Sequence, residues 1–455
     1  MRTGYTMRAD MSKSMRFFLF LFFVFAFLIS APLVVLYTAG YRFDISHGRI
    51  VHTAVLNISS EPHNATVVVD QVPFSDRTPA VLETILPGEH LVRLEKTGYL
   101  PWETMLSFES REARVLGPII LFLEDEPDLQ ETVAAILVSS HAPTNRFAYV
   151  TQQSSWLEVW MISASDAQKK LLMRLPYVPT STYSLSWSKD GTYIALKEQS
   201  GLRQNLSISR VSDGSVIELP VAAQDAEDSW WDLSVEPLFY VRTQTTLTRI
   251  DVASGMSQSL LFSAHLVTLS DNQEVILSIS NDRAVLSYQE GEAASIITYL
   301  PLGKYQFVPA PEGLIALNDI QRNRLILVDT EEREQPILLN EEARLWKWHP
   351  SGDVLLYSSG YDLKRYVRSA HETQTLTRLS TQIEQLDWYP QGTCAIYRSD
   401  GTTMALNLDG TTVLSQTVLA TGLGGSFWIS HDGNTLSTLL QTETGWEWWK
   451  RNLQN

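Results

Sequence analysis

A short hairpin pattern recurs beyond residue 130 of this 455-residue chain and constrains its fold more than any other feature. SLSWSKDGTYIAL (184–196), RLWKWHPSGDVLLY (344–357), QLDWYPQGTCAIY (385–397) and SFWISHDGNTLST (426–438) share one plan. Alternating large apolar residues lead into a polar turn and then another apolar strand. The turn's glycine comes four residues after the last large side chain: Trp187 to Gly191, Trp348 to Gly352, Trp388 to Gly392 and Ile429 to Gly433. Weaker copies occupy 265–279 and 304–317, and degenerate ones lie near 229–241 and 135–150. The copies stand about 36 to 43 residues apart, and each continues into a third strand such as 325–329 or 207–211. Alternation with a period of two argues strands, and a repeat near 40 residues with about four strands per unit describes a β-propeller blade. An unrelated sandwich has no reason to repeat its hairpin at a fixed interval. The pattern therefore implies a seven- or eight-bladed β-propeller over residues 131–455.

The SKDGTYIAL version resembles the WD40-like repeats of bacterial TolB-type propellers, without the Gly-His and Trp-Asp pairs of eukaryotic WD40 repeats. Thirteen tryptophans invite a carbohydrate-binding reading, but Trp187, Trp346, Trp348 and Trp388 occupy the repeated strand positions. Trp428 lies one residue off them and Trp230-Trp231 align with the same strand, so packing between blades accounts for these rings better. Cys394, the one cysteine, excludes an intrachain disulfide and falls in an apolar strand, as a buried structural thiol would. Propellers often complete one blade with strands from both ends of the domain. The last copy, 426–455, shows three strands, and the segment near 132–139 is placed to be its fourth.

At the other end of the chain, residues 17–37, FFLFLFFVFAFLISAPLVVLY, carry no charge and are long enough to cross a bilayer. Phenylalanine on every side fits lipid better than a protein core. A cleaved signal peptide is the competing reading, but the apolar run is longer than an ordinary signal and Ala31 is followed at once by Pro32, which obstructs a cut. Residues 1–16 hold four basic side chains, whereas the twenty residues after the span offer only Arg42 and Arg49. This asymmetry predicts a single-pass anchor at the cell membrane with a cytoplasmic tail (1–16), a transmembrane helix (17–37) and an extracytoplasmic bulk. Taking the tail's four basic residues and one acid from the chain's 35 and 51 leaves a net charge of −19 from residue 17 onward. Such a surface disfavours nucleic acid as a partner.

Between anchor and repeats, residues 38–51 read as a stalk and 52–123 as a small β-domain. TAVLNIS (53–59), ATVVVD (65–70), EHLVRLEK (89–96), WETMLSF (102–108) and 115–122 read as strands between turn signals. Residues 53–123 resemble a PEGA domain, a small bacterial β-domain of cell-surface and envelope proteins. The likeness rests on SEPHNATVVVD, on Thr78-Pro79, on LPGEHLVRLEKTGY from Leu86 and on Pro101-Trp102. The family's Pro-Glu-Gly-Ala is Pro62-His63-Asn64-Ala65 here, and Gln71 replaces the glycine after Asp70; asparagine tolerates the left-handed backbone such a turn needs. The acidic, proline-containing stretch 124–130 reads as a linker.

Chemical motifs are sparse. Nine histidines are scattered without a His-x-x-x-His pair, and no Gly-x-Ser-x-Gly elbow, P-loop or dinucleotide fingerprint occurs, so no catalytic set, metal site or cofactor is expected. His349 and His431 fall in the turns after the first strands of their blades and are the candidate ligand contacts. The reading is an all-β, membrane-anchored extracytoplasmic binding or scaffold protein that contacts a cell-wall glycan or an envelope protein. The alternative is a propeller hydrolase or lyase acting on cell-surface glycans. A cluster of acidic, histidine or arginine side chains at the channel mouth would favour catalysis, and a neutral lining would favour binding.

Overall fold

A computed structural model describes the chain except for residues 1–12, 45–47, 202, 221–225, 261–263, 271–272, 281, 291–292, 333, 409–412 and 423. Most of the basic tail thus lies outside the described residues. The chain forms two compact units, residues 1–121 and 122–455. In the first, Lys13–Thr38 form one helix of 26 residues that continues through Pro32. At about 1.5 Å per residue such a helix is roughly 39 Å long, more than the ~30 Å hydrocarbon core of a bilayer. None of its side chains is buried within the protein. The stretch read as a stalk contains a hairpin, Tyr41–Asp44 against Arg49–His52. Thr53 ties that hairpin down, its N–H and Oγ1 both donating to Gly40 O at 2.9 and 3.1 Å.

The rest of this unit is built from two sheets. One has three strands in the order Ala80–Ile85, Ala54–Glu61, Ala113–Ile120; the other has four, Val72–Arg77, Thr66–Val69, Gly88–Glu95, Trp102–Phe108. Period-two alternation decides which side chains go inward. Ala54, Leu56, Ile58 and Ser60 are buried on one strand, and Trp102, Thr104, Leu106 and Phe108 on another. Two of these strands, 72–77 and 80–85, carry no clear alternation and went unread in the sequence. Asn64 holds φ +66° and Gln71 φ +68°, so both positions where a glycine was expected are left-handed. Asp70 beside Gln71 accepts the Leu91 N–H at 3.0 Å and meets His90 Nδ1 at 2.6 Å, which fixes the turn against the next strand.

The second unit is a ring of eight four-stranded antiparallel sheets. In chain order blades 1 to 7 span residues 137–176, 182–217, 228–260, 264–300, 305–342, 345–378 and 383–420. Blade 8 comprises Ser426–Ile429, Thr435–Thr442 and Gly445–Asn452, completed by Asp128–Val133, whose Val133 lies opposite Trp446. The segment expected to close the ring, 132–139, divides instead. Its start ends the closing strand, and Leu137–His141 is the inner strand of blade 1. The closing strand also takes up the end of the stretch read as a linker. Its burial explains why: among its six residues only Val133 is buried, so an outermost strand wet on both faces carries no apolar alternation.

Apolar clusters lie between blades rather than within them. Val150, Leu157 and Val159 of blade 1 pack with Ile194 and Leu196 of blade 2. Leu356 and Leu363 of blade 6 pack with Leu386, Trp388 and Ala395 of blade 7. Phe147 and Ile162 of blade 1 meet Trp428, Leu439 and Trp448 of blade 8, so the ring closes through its core as well as through its strands. The inner-strand tryptophans follow a rule of side. Trp187, Trp231 and Trp388 reach back, donating Nε1–H to Ser139 O (3.3 Å), Ser186 O (3.2 Å) and Lys347 O (3.1 Å) of the preceding blade. Trp230 and Trp428, one residue earlier on their strands, reach forward to Val267 O (3.1 Å) and Asn145 Oδ1 (2.8 Å) of the following blade. Successive side chains on a strand point to opposite faces, and here those faces are the two neighbouring blades. These five rings pack between blades as expected, and two of them, Trp230 and Trp231, also line a cavity.

Candidate functional site

The residue after the inner strand latches one blade to the next. His349 accepts the Ser351 N–H on Nδ1 at 3.0 Å, so its proton sits on Nε2, which donates to Gly392 O of blade 7 at 3.2 Å. Its ring stands edge-on to Trp388 at 4.9 Å. His141 does the same from blade 1, with Nδ1 2.8 Å from Thr144 Oγ1, Nε2 3.2 Å from Lys189 O and its ring 5.5 Å from Trp187. Tyr389 donates its hydroxyl to Gly433 O of blade 8 at 2.9 Å. In blade 3, Asp232 accepts Thr268 Oγ1–H and the Leu269 N–H of blade 4, both at 3.0 Å. Both nitrogens of His349 are therefore engaged, Nδ1 within its own turn and Nε2 across to the next blade. His431 is an exposed residue of the blade 8 turn, and the structure does not bring the two histidines together.

Further along each blade a second position also bridges neighbours. Lys197, Arg242 and Arg398, near the far ends of the second strands of blades 2, 3 and 7, donate to Ser229 O, His265 O and Gly425 O of the next blade. Arg398 is fully buried, lies 5.0 Å over the Phe427 ring and also donates to Thr403 Oγ1 at 3.1 Å; burial pushes its pKa down to about 10. Burial likewise lowers the Lys197 ammonium, with Asp228 acting in the opposite direction. A partly buried lysine beside a cavity suggests a nucleophile in isolation. The recurrence of the same tie in three blades identifies it as a fastening.

Beside Lys197 the ring holds a cavity of about 440 Å³ lined by the inner strands of blades 2 to 5. Its walls are mainly aromatic or neutral: Trp230 and Trp231 from blade 3, Thr268 from blade 4, and Tyr305, Gln306 and Phe307 from blade 5. Trp230 stacks on Tyr240 at 5.6 Å, and Trp231 meets Phe239 edge-on at 4.8 Å, so both rings are held from behind. Among the described residues Asp228 is the one carboxylate in the lining, and Lys197 and Lys304 supply the cations. The side chains of Lys304 and Gln306, both exposed residues, have no hydrogen-bond or ion-pair partner among the described residues, and the Ser186 Oγ is buried without one. Stacking faces, an amide, hydroxyls and one free ammonium suit an amphipathic, hydrogen-bonding ligand. General acid–base cleavage of a glycosidic bond uses two carboxylates, and this cavity offers one.

None of the cavity residues was singled out as a ligand contact from the sequence. The available signal was the weakness of the repeat, because the lining comes chiefly from blades 3 to 5, where the copies are weak or degenerate. Cys394 is buried, and burial pushes its thiol up to about 12, as expected for a structural cysteine.

The family model of the PEGA domain matches residues 53–116. No curated protein matches the chain in sequence. Among solved structures it is similar to one described as the Dos1 propeller, with 15% identity and a TM-score of 0.46 over 71% of this chain and 93% of that one. It is also similar to a eukaryotic initiation factor (13% identity, TM-score 0.49, 69% of this chain and 84% of the other). An oligogalacturonate lyase in complex with manganese shows 10% identity and a TM-score of 0.42 over 69% and 99%. The order of the eight sheets itself establishes the ring.

Proposed function

We propose that this chain is a membrane-anchored extracytoplasmic binding protein, with a TolB-like propeller that holds a cell-wall glycan or an envelope protein at its channel cavity without chemical turnover. The observation that carries the reading is the lining of that cavity. It is mainly aromatic or uncharged, with a single carboxylate and two lysines among the described residues, and the partly buried one of these, Lys197, is committed to a carbonyl of the next blade. The match to the PEGA domain, found on surface and envelope proteins, supports the same reading. So does an apolar helix with no buried side chain. The excess of basic residues before the helix favours a cytoplasmic N-terminus, and proteinase added to wall-stripped cells then removes everything beyond about Tyr41. A protected propeller would reverse that topology.

The cavity is tested with the full chain in neutral detergent, incubated with purified wall glycans and with envelope extract. It should retain a ligand that remains chemically intact, and Gln306→Trp, which fills the cavity from an exposed position, should abolish retention while leaving the melting temperature unchanged. Release of glycan products that stops in Asp228→Asn would replace the binding reading with the hydrolase or lyase.

A further inference from the structure

Residues 53–121 carry nine acidic side chains and five basic ones, yet three of the five basic residues line a single groove. Arg77, Arg93 and Lys96 meet there with Glu95 and Tyr99 around a volume of about 540 Å³. Register brings them together. Thr66 lies opposite Arg77 on one side and Glu95 on the other, and Val68 lies opposite Arg93, so the groove runs across the outer face of the four-stranded sheet. Arg93 pairs with Glu95 at 3.0 Å and has Glu103 at 3.9 Å, so its charge is not free. Lys96 donates one hydrogen to His63 O at 2.8 Å and sits 6.0 Å over the Tyr99 ring, leaving ammonium hydrogens for another acceptor. Arg77 is exposed and has no partner among the described residues. The groove therefore carries two uncompensated positive charges in a domain whose overall charge is negative.

Its position in the fold narrows the ligand. The Gly40–Thr53 tie holds one end of the strand Ala54–Glu61 next to the end of the apolar helix, while Asn64, Thr66 and Glu95 lie at the other end. Eight strand residues at ~3.3 Å each separate the two by about 25 Å, roughly three Debye lengths at physiological salt. A headgroup beside the helix end is screened from the groove at that distance.

We propose that this groove binds an acidic glycan, a sugar polymer carrying phosphate or carboxylate groups. The Arg77 fork and Lys96 take the anionic groups, and the Tyr99 ring lies against the sugar face. The site belongs to the first unit and stands independently of the propeller cavity.

The test uses the full chain in neutral detergent with labelled polygalacturonate and dextran phosphate as probes, neutral dextran as control, and phosphatidylglycerol vesicles as competitor. Both acidic polymers should bind, weakening at least tenfold between 50 and 200 mM salt, and the vesicles should not displace them. Arg77→Ser combined with Lys96→Ser should lower affinity at least tenfold. Arg111→Ser, in the same domain but outside the groove, should leave affinity unchanged. Because Lys96 also holds the His63 turn, Arg77→Glu alone provides a variant with nothing in the fold to lose, and it too must weaken binding at an unchanged melting temperature. Unaltered affinity in these variants, equal binding of neutral dextran, or binding only to the vesicles would overturn the assignment.

Discussion

Blades 6 to 8 and blades 3 to 5 solve the same packing problem differently, and the difference places the cavity. In blades 6 to 8 the polar groups of the inner strands satisfy one another across blade boundaries. Lys347 pairs with Asp387 at 3.2 Å, and Gln385 exchanges two hydrogen bonds with the Phe427 backbone at 2.6 and 2.9 Å. Turn glycines at 352, 392 and 433, all with φ between +74° and +78°, let latch side chains come in close. Blades 3 and 4 lack the turn glycine, and Gln306 and Lys304 of blade 5 make no such exchange. A strong repeat is thus a sign of inner strands occupied in holding one another. In blade 5, where the repeat weakens, Lys304 and Gln306 are left facing the cavity, although Asp232 still ties blade 3 to blade 4.

The largest effect should come from breaking the ring. Gly445–Asn452 lies between Thr435–Thr442 and the closing strand Asp128–Val133, so deleting residues 445–455 removes the partner of both. An open sheet edge and an exposed Trp428 cluster should follow, with aggregation or loss of a single cooperative transition in calorimetry. A truncated protein that melts like the full chain would mean that the eight blades do not depend on closure.

The next comparison sets one position from each kind of blade side by side. Trp388→Ala removes a packed ring and its bond to Lys347 O, and truncations of this kind cost about 3–5 kcal/mol. Gln306→Ala, on an exposed inner-strand residue of blade 5, should stay within about 0.5 kcal/mol of the parent in urea unfolding. Equal losses would erase the distinction between blades that fasten and blades that line the cavity.

Gly392→Ala gives a smaller but specific effect. The left-handed backbone at φ +74° costs a side chain roughly 1–2 kcal/mol, and the added methyl collides with the His349 ring. Pairing it with His349→Ala should recover the part due to collision and leave the part due to backbone. A double-mutant cycle with no coupling energy would show that the latch is not formed.

These comparisons also explain what was legible in the chain. The period, the hairpins and the side taken by each tryptophan come from local alternation and spacing, which sequence displays directly. The closing strand 128–133 was misplaced because it is wet on both faces and lies beside Pro127 in an acidic stretch. His349 was read as a ligand contact because its turn position is visible in sequence, whereas the carbonyl of Gly392 that occupies its Nε2 comes from 43 residues away. The cavity escaped notice for a related reason, since Trp230, Gln306 and Thr268 meet only when separate blades are brought round the channel.

The smallest expected effect concerns His141, which occupies the latch position in a degenerate copy. Its imidazole is buried between the blade 1 turn and Trp187, faces Lys189 O and Thr144 Oγ1, and feels Asp190 and Arg146 nearby. Burial is the largest influence and lowers its pKa below the ordinary value of 6.5; the Lys189 carbonyl and Asp190 oppose that shift, and Arg146 adds to it. A group whose folded-state pKa lies below its unfolded value binds fewer protons in the folded state, so its stabilising effect is complete above pH 6.5 and declines as the pH falls through that value. The parent should therefore lose more melting temperature between pH 7.5 and 5.5 than His141→Gln, which keeps a hydrogen-bonding side chain but does not titrate. His265, also lowered by burial, remains in both proteins and cancels from the difference. A latch that works in blade 1 by the chemistry of blade 6 would show that degeneracy in the repeat reaches the turn glycine before it reaches the fastening. Identical pH slopes in the two proteins would show that His141 is solvated and that blade 1 is held by its apolar cluster alone.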